Sequence, residues 1–413
     1  MDEFMASDLL LAARRLLEDN TRTGALDGRT YRFTVPAPDA YPFQWFWDSC
    51  FHAIVWAEID RERAADELRS LLAWQRPNGM IPHVVFWDQS QVSLRRFWHY
   101  SESNGIPWLR RPLTSECVQP PVIARAVERI GGDFVDEAMP ALGRYYRYLA
   151  RERDPDGDAL VSIVNQFESG LDYSPTYEHG VHHRNPVTLF LSSRRGELTN
   201  KLLGFDLERI FRLTNHHVED VLFNTVYADG LLALARLADG RDDELATWAY
   251  ELAGRVTGAL VERSWHASTG YFCNLRGRRE QRMGQRTVAS LLPLLLPGLP
   301  AEIAERLVEH LRDKRTFGAP YPVPSVPLDD SSFDRRSRPW GIRFIWRGPA
   351  SMSTNWFIAD GLRRHRYDEQ AAALVATSQE LARRGGFNEF YDPVDGTPVG
   401  AAGFGWATLA AVM

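Results

Sequence analysis

The stretch V-L-F-N-T-V-Y-A-D-G-L-L-A-L-A-R-L-A, Val221 to Ala238, is apolar on nearly every side of a helix. Such a helix is stable only when other elements cover it all round. Other segments are two-faced instead. In R-E-R-A-A-D-E-L-R-S-L-L-A-W-Q, the residues Ala64, Leu68, Leu71 and Leu72 recur at helical spacing and form one apolar stripe opposite a charged face. The same periodicity runs through residues 6–17, 121–130, 138–150, 301–311 and 368–383. Amphipathic helices alternating with all-apolar ones predict an all-α fold in two concentric layers. Strand signals are few and short, at residues 31–35 and 270–274. No Gly/Ser-rich or Pro-rich tether and no shift in composition divides the 413 residues, so a single helical domain over 1–413 is expected.

Between the helical segments lie polar, aromatic and Gly/Pro-rich junctions: residues 41–50, 78–88, 114–121, 165–175, 345–355 and 385–396. If paired helices close a ring, these junctions gather at one end and shape a pocket. The chain holds 13 Trp, 14 Tyr and 21 Phe, many of them beside polar residues, which suits a pocket that stacks flat, hydroxyl-rich ligands. The Pro-rich run A-P-Y-P-V-P-S-V-P, residues 319–327, reads as an ordered loop over such a pocket. A net charge of -6 without a long basic stripe argues against nucleic acid or an anionic membrane as partner. The Arg-rich pieces 276–286 and 335–347 read as local solvated faces. No uncharged run reaches membrane-spanning length. Cys50, Cys117 and Cys273 show no C-x-x-C spacing, and the N-terminus lacks the basic start and apolar core of a signal peptide. A cytoplasmic protein is the expectation.

Two junctions carry acids in settings suited to proton transfer. N-Q-F-E-S-G-L-D-Y-S-P, residues 165–175, holds Glu168 and Asp172 around a glycine and before a proline, so the pair sits on a loop rather than one helix face. G-G-F-N-E-F-Y-D-P-V-D-G, residues 385–396, places Glu389 among Phe387, Phe390 and Tyr391, and its D-P-V-D-G makes Asp392 and Asp395 turn-formers. Glycoside hydrolysis needs one acid to protonate the leaving oxygen and a second carboxylate across the bond, and the two can lie far apart in sequence. Neither stretch is specific alone.

Four segments together carry a resemblance. Y-P-F-Q-W-F-W-D-S-C-F-H-A, N-Q-F-E-S-G-L-D-Y-S-P, W-R-G-P-A-S-M-S-T-N-W and F-N-E-F-Y-D-P-V-D-G-T-P-V-G occur in that order over nearly the whole chain. The set resembles glycoside hydrolase family 63, in particular its compact bacterial branch of mannosylglycerate and glucosylglycerate hydrolases, related to trehalases. That resemblance implies an (α/α)6 toroid and an inverting mechanism without cofactor, acting on a small α-glucoside or α-mannoside. Asp172 matches the family's general acid and Glu389 the base that activates water. Trp45, Trp47 and Asp48 match the W-x-W-D that lines the sugar pocket. Gln119 of Q-P-P, and Trp346, Arg347 and Gly348, match positions beside the leaving group. Glu168 is implied to orient its neighbours. The family's R-G-P-x-W departs here to R-G-P-A-S, with Ser351 where an aromatic packs on the bound sugar.

Histidines gather in H-G-V-H-H-R-N-P (His179, His182, His183) and N-H-H-V-E-D (His216, His217). Their spacings match no tight zinc pattern, and hydrolysis by two carboxylates needs no metal, so neither a metal nor a cofactor is expected. Arg184, in the first cluster, is a candidate to grip an anionic aglycone such as glycerate through its planar fork. Phe86 or Trp87 either pack or line the aglycone side. A Ser/His/Asp nucleophile has no G-x-S-x-G elbow behind it, and no glycine-rich phosphate loop occurs. Two other readings stay open: a sugar isomerase or epimerase of the same toroid, which would need His182 or His217 to face Asp172, and a degenerate carbohydrate-binding homologue, suggested by Ser351. The glycone, the aglycone and the oligomeric state are left open.

Overall fold

The computed structural model describes residues 2–92, 113–177, 198–336 and 345–413, with side chains from Asp8 onward. The chain is mostly helical, and its helices come in unequal pairs. Phe46–Ala57 is buried at every position. Its neighbour Arg61–Leu72 starts on Asp60, whose carboxylate accepts from the amides of Glu62 and Arg63. That second helix buries Ala64, Ala65, Glu67, Leu68, Ser70 and Leu71 and gives its other side to solvent. The periodicity of one apolar stripe dictates this placement.

The same arrangement recurs along the chain. Ile123–Ile130 packs on Phe134–Glu152, Val221–Ala238 on Asp243–Ala259, and the 3-10 segment Val288–Leu295 on Ala301–Arg312. Met352–Arg364 packs on Asp368–Gly385, and the 3-10 segment Gly405–Ala411 on Asp2–Asp19. The first member of each pair is the inner one. Phe46–Ala57 also touches Ile123–Ile130, which touches Val221–Ala238, which touches Val288–Leu295 and, through it, Met352–Arg364. Gly405–Ala411 contacts both Met352–Arg364 and Phe46–Ala57. Val221–Ala238 has the length and apolarity to cross a membrane, but 89% of it is buried within this chain. Its Asp229 is held by Arg125 at 2.9 Å and Arg364 at 2.7 Å, so the one acid inside that helix is neutralised from two neighbours. A continuous apolar core runs from Leu9 to Ala410.

Short links lead from an inner element to its outer partner, at 58–60, 131–133, 239–242, 296–300 and 365–367. Long links return from outer to inner and carry the strands. Residues 31–35 and 270–274 do fall on strands, Arg29–Thr34, Tyr271–Phe272 and the start of Asn274–Arg276. A four-stranded antiparallel sheet of Gln281–Met283, Asn274–Arg276, Val218–Glu219 and Ser162–Ile163 has no counterpart in the sequence reading. Strands of two or three residues leave no alternation to detect. Every candidate site residue within the described chain sits on a long link or in the helical turn just after it.

Candidate active site

Glu389 lies on the strand Asn388–Tyr391, paired with Pro398–Ala402, and the register slips between Asn388 and Phe390. A bulge of this kind takes the intervening residue out of the ladder and re-aims its side chain. The Glu389 carboxylate is 1% exposed. One oxygen accepts from the Tyr41 hydroxyl at 2.8 Å and the other from the Ala401 amide at 2.9 Å. The Trp406 indole donates to the Glu389 carbonyl at 3.2 Å. Gly400 permits the close approach: a Cβ there would stand 2.5 Å from the carboxylate, and its φ of +84° already favours glycine. Two donors on separate chain segments thus fix the carboxylate as an acceptor.

Asp172 sits in the turn that ends the stretch 165–175, half-buried between Gly170 at φ 77° and Tyr173 at φ 61°. The Asn165 side chain accepts from the Phe167 amide and starts a 3-10 turn over Gln166–Glu168. The Tyr173 amide donates to the Gln166 side chain at 2.9 Å, closing the loop on itself. Glu168, fully buried, accepts from the amides of Val118 at 3.0 Å and Val164 at 2.7 Å and pairs with buried Arg153. Burial opposes the Arg153 charge, but Glu168 outweighs it and raises the guanidinium pKa. Glu168 therefore anchors the loop that carries Asp172, as expected of an orienting carboxylate.

Asp48 stands in the first turn of Phe46–Ala57, 3% exposed, with Oδ1 lacking a hydrogen-bond partner. Burial first, then the charges of Glu389, Asp172 and Glu67, hold its carboxyl well above the usual range, against its own backbone amide. Asp48 thus feels both distant acids, which brings the residues 172 and 389 into one electrostatic neighbourhood. Glu67, from the outer helix, accepts from Ser49 at 2.7 Å and from the Thr34 amide at 2.7 Å and so stiffens the turn beneath Asp48.

Aromatic rings surround these acids. Trp47 packs under Gly170, where a Cβ would meet the ring at 2.7 Å, and stands edge-on to Trp406 at 5.5 Å. Trp346 lies 6.4 Å from Trp47 and edge-on to Phe390 at 4.9 Å. Half-buried Trp45 stacks edge-on with Tyr41 at 5.9 Å and His83 at 4.8 Å. Burial lowers the His83 pKa to about 3, so this imidazole is neutral. Burial also lowers that of Arg347 to about 10.

The remaining expected residues take supporting places. Gln119 accepts from the Trp47 amide at 3.0 Å and so sets the tryptophan. A Cβ on Gly348 would stand 2.4 Å from the Asp334 carbonyl oxygen, so the chain passes closely there. Ser351 is 1% exposed and caps Met352–Arg364, its hydroxyl accepting from the Ser353 amide, a structural use of the position that the sequence reading had set against the sugar. Asp392 and Asp395 form the expected turn, accepting from Val394 and Thr397. Phe86 and Trp87 are core residues, and the Trp87 indole donates to Gln44 at 2.6 Å. His217 is buried against Phe211, and burial, Arg278 and His216 lower its pKa to about 4. Arg184 and the histidines at 179, 182 and 183 lie outside the described residues. Sequence reasoning gave no role to Tyr41, Glu67, Gly400 or Trp406. Tyr41 and Gly400 stood inside quoted motifs, whereas Trp406 lay outside them, and all three show their relation to Glu389 only once the chain is folded.

The family model of the mannosylglycerate hydrolase MGH1-like glycoside hydrolase domain matches residues 41–407. A mannosylglycerate hydrolase of Thermus thermophilus is 32% identical over 92% of this chain and 96% of its own length. A glucosylglycerate hydrolase of Mycolicibacterium hassiacum is 30% identical over 92% of this chain and 93% of its own. Among solved structures, a GH63 mannosylglycerate hydrolase from Thermus thermophilus in complex with Tris and D-glycerate superposes with a TM-score of 0.81 at 30% identity, covering 98% of this chain and 99% of that one.

Proposed function

The chain belongs to the mannosylglycerate hydrolase MGH1-like family of glycoside hydrolases, and from that premise we propose that it inverts the anomeric centre of a small α-mannoside or α-glucoside whose aglycone is glycerate-like. Asp172 is the general acid and Glu389 the general base. Asp172 gives its proton to the glycosidic oxygen as the bond from the anomeric carbon to that oxygen breaks. A water on the opposite face forms the new bond and loses its proton to Glu389. Glu389 then releases that proton to solvent and Asp172 regains one, which resets both groups.

The observation that carries the assignment is the place of Trp47, which packs against Gly170 of the Asp172 loop and stands 5.5 Å from Trp406, whose indole donates to the Glu389 carbonyl. An inverting pair stands about 6.5–9.5 Å apart to leave room for water. Asp48, with Oδ1 buried and without a hydrogen-bond partner, accepts from sugar hydroxyls. Trp45, Trp47 and Trp346 offer the ring faces, with Arg347, Gly348 and Gln119 behind them. Arg184 remains the proposed grip on the aglycone carboxylate. The six inner–outer pairs among the described residues and their successive contacts support an (α/α)6 toroid, and the uninterrupted core supports a single domain over 1–413. Cys50, Cys117 and Cys273 are all buried, and an odd, sparse set of cysteines supports a place in the cytoplasm.

Hydrolysis of mannosylglycerate, glucosylglycerate and trehalose by the purified chain tests this reading, with Asp172→Asn and Glu389→Gln in parallel. Each substitution is expected to lower kcat by about 10²- to 10⁴-fold. Full activity in either variant removes that residue from its role.

A further inference from the structure

A second group of acids lies apart from the residues that surround the sugar site. D-P-D-G-D, residues 154–158, opens the link after Phe134–Glu152, and the acid oxygens of Asp154, Asp156 and Asp158 lie within 4.8 Å of one another. Asp158 belongs equally to a second triplet of the same closeness, with Glu219 and Glu280. Two carboxylate triplets therefore meet at Asp158, and the cation facing them among the described residues is Arg263, 3.5 Å from Asp158 and paired with Glu280. Acids repel one another at this spacing, and their charge exceeds what one guanidinium offsets.

Glu219 makes this more than a surface cluster. It is 3% exposed, and its Oε2 is buried with no hydrogen-bond partner, on the side chain whose oxygen faces Asp158 and Glu280. Oδ2 of Asp158 is likewise buried without a hydrogen bond. A buried acceptor left unmatched is costly. Burial first, then Asp158, Asp156 and Glu280, push the Glu219 carboxyl up to about 9 against the opposing pull of Arg263.

We propose that residues Asp154, Asp156, Asp158, Glu219 and Glu280 bind a calcium ion. The donors are all carboxylate oxygens, and within each triplet they lie within 4.8 Å of one another, close enough to share one cation. An all-carboxylate set suits calcium, a hard cation that takes six to eight oxygen ligands at about 2.3–2.6 Å in a flexible geometry, whereas magnesium keeps several waters in a near-ideal octahedron. The ion ties three segments: the loop before Ser162–Ile163, the strand Val218–Glu219, and the turn between Asn274–Arg276 and Gln281–Met283. These are neighbours in the four-stranded sheet, and Ser162 pairs directly with Glu219. The loop bearing Asp172 follows that sheet edge. The role is structural, a bolt on the scaffold and not a participant in hydrolysis.

The test titrates full-length protein, stripped with EDTA, with calcium chloride by calorimetry and follows the thermal midpoint. One saturating site is expected, with calcium at about a hundredfold over Kd raising the midpoint on the order of 3 °C. Glu219→Gln and Asp158→Asn should each weaken binding by roughly tenfold or more, while magnesium at the same concentration leaves the midpoint near the EDTA value. The wild-type titration decides even where a variant folds poorly. Absence of a saturating heat with an unmoved midpoint overturns the proposal. So does calcium binding that persists unchanged in both folded variants, since the ion then sits elsewhere.

Discussion

Tyr41 joins a residue near the start of the chain to one near its end, through the 2.8 Å bond from its hydroxyl to Glu389. A hydrogen bond to a charged group contributes about 1.5–3 kcal/mol. Tyr41→Phe is therefore expected to lower kcat by about 10- to 100-fold with little change in fold, read by steady-state kinetics beside circular dichroism. A kcat within twofold of wild type would show that the Tyr41 hydroxyl does not position the base. His83 gives a prediction in pH. The unfolded chain binds its proton near pH 6.5, and the folded chain only near 3. The stability from the neutral ring is full above pH 6.5 and drains as pH falls toward 3. His83→Phe should flatten the fall in denaturation midpoint between pH 7 and 5; an unchanged slope assigns the acid sensitivity to other groups.

Among elements, the helices were legible because their signal is repeated over several turns. Arg61–Leu72 and Asp368–Gly385 carry apolar residues at every return of one face, and the all-apolar Val221–Ala238 announced its own burial. The bulge that aims Glu389 was not legible, since nothing in N-E-F-Y separates a regular strand from a slipped one. Nor was the use made of Ser351. Its position in the motif pointed to the sugar, whereas its backbone lies at the start of Met352–Arg364, where a hydroxyl meets an amide. Ser351→Ala is expected to cost about 1 kcal/mol of unfolding free energy, the usual worth of such a cap, measured by urea denaturation. A loss below about 0.3 kcal/mol would mean that the helix start is held by its neighbours instead.

At the scale of the molecule, six outer elements cover six inner ones among the described residues, and every candidate residue there sits on a long link between them or in the helical turn just after it. This division explains why the site is assembled from distant sequence. Residues 41–48, 119, 168–172, 346–351 and 389 lie on separate links or in the turn just after one, so no local spacing could relate Asp172 to Glu389. Their composition was readable as loops rich in aromatics and acids; their convergence belongs to the packing of the inner layer. The most direct test of that convergence is the anomer of the first sugar released. Proton NMR during early turnover of an α-mannoside or α-glucoside of glycerate should show the β-anomer first, before mutarotation, and no such signal with Glu389→Gln. The α-anomer appearing first would contradict an inverting acid–base pair at Asp172 and Glu389.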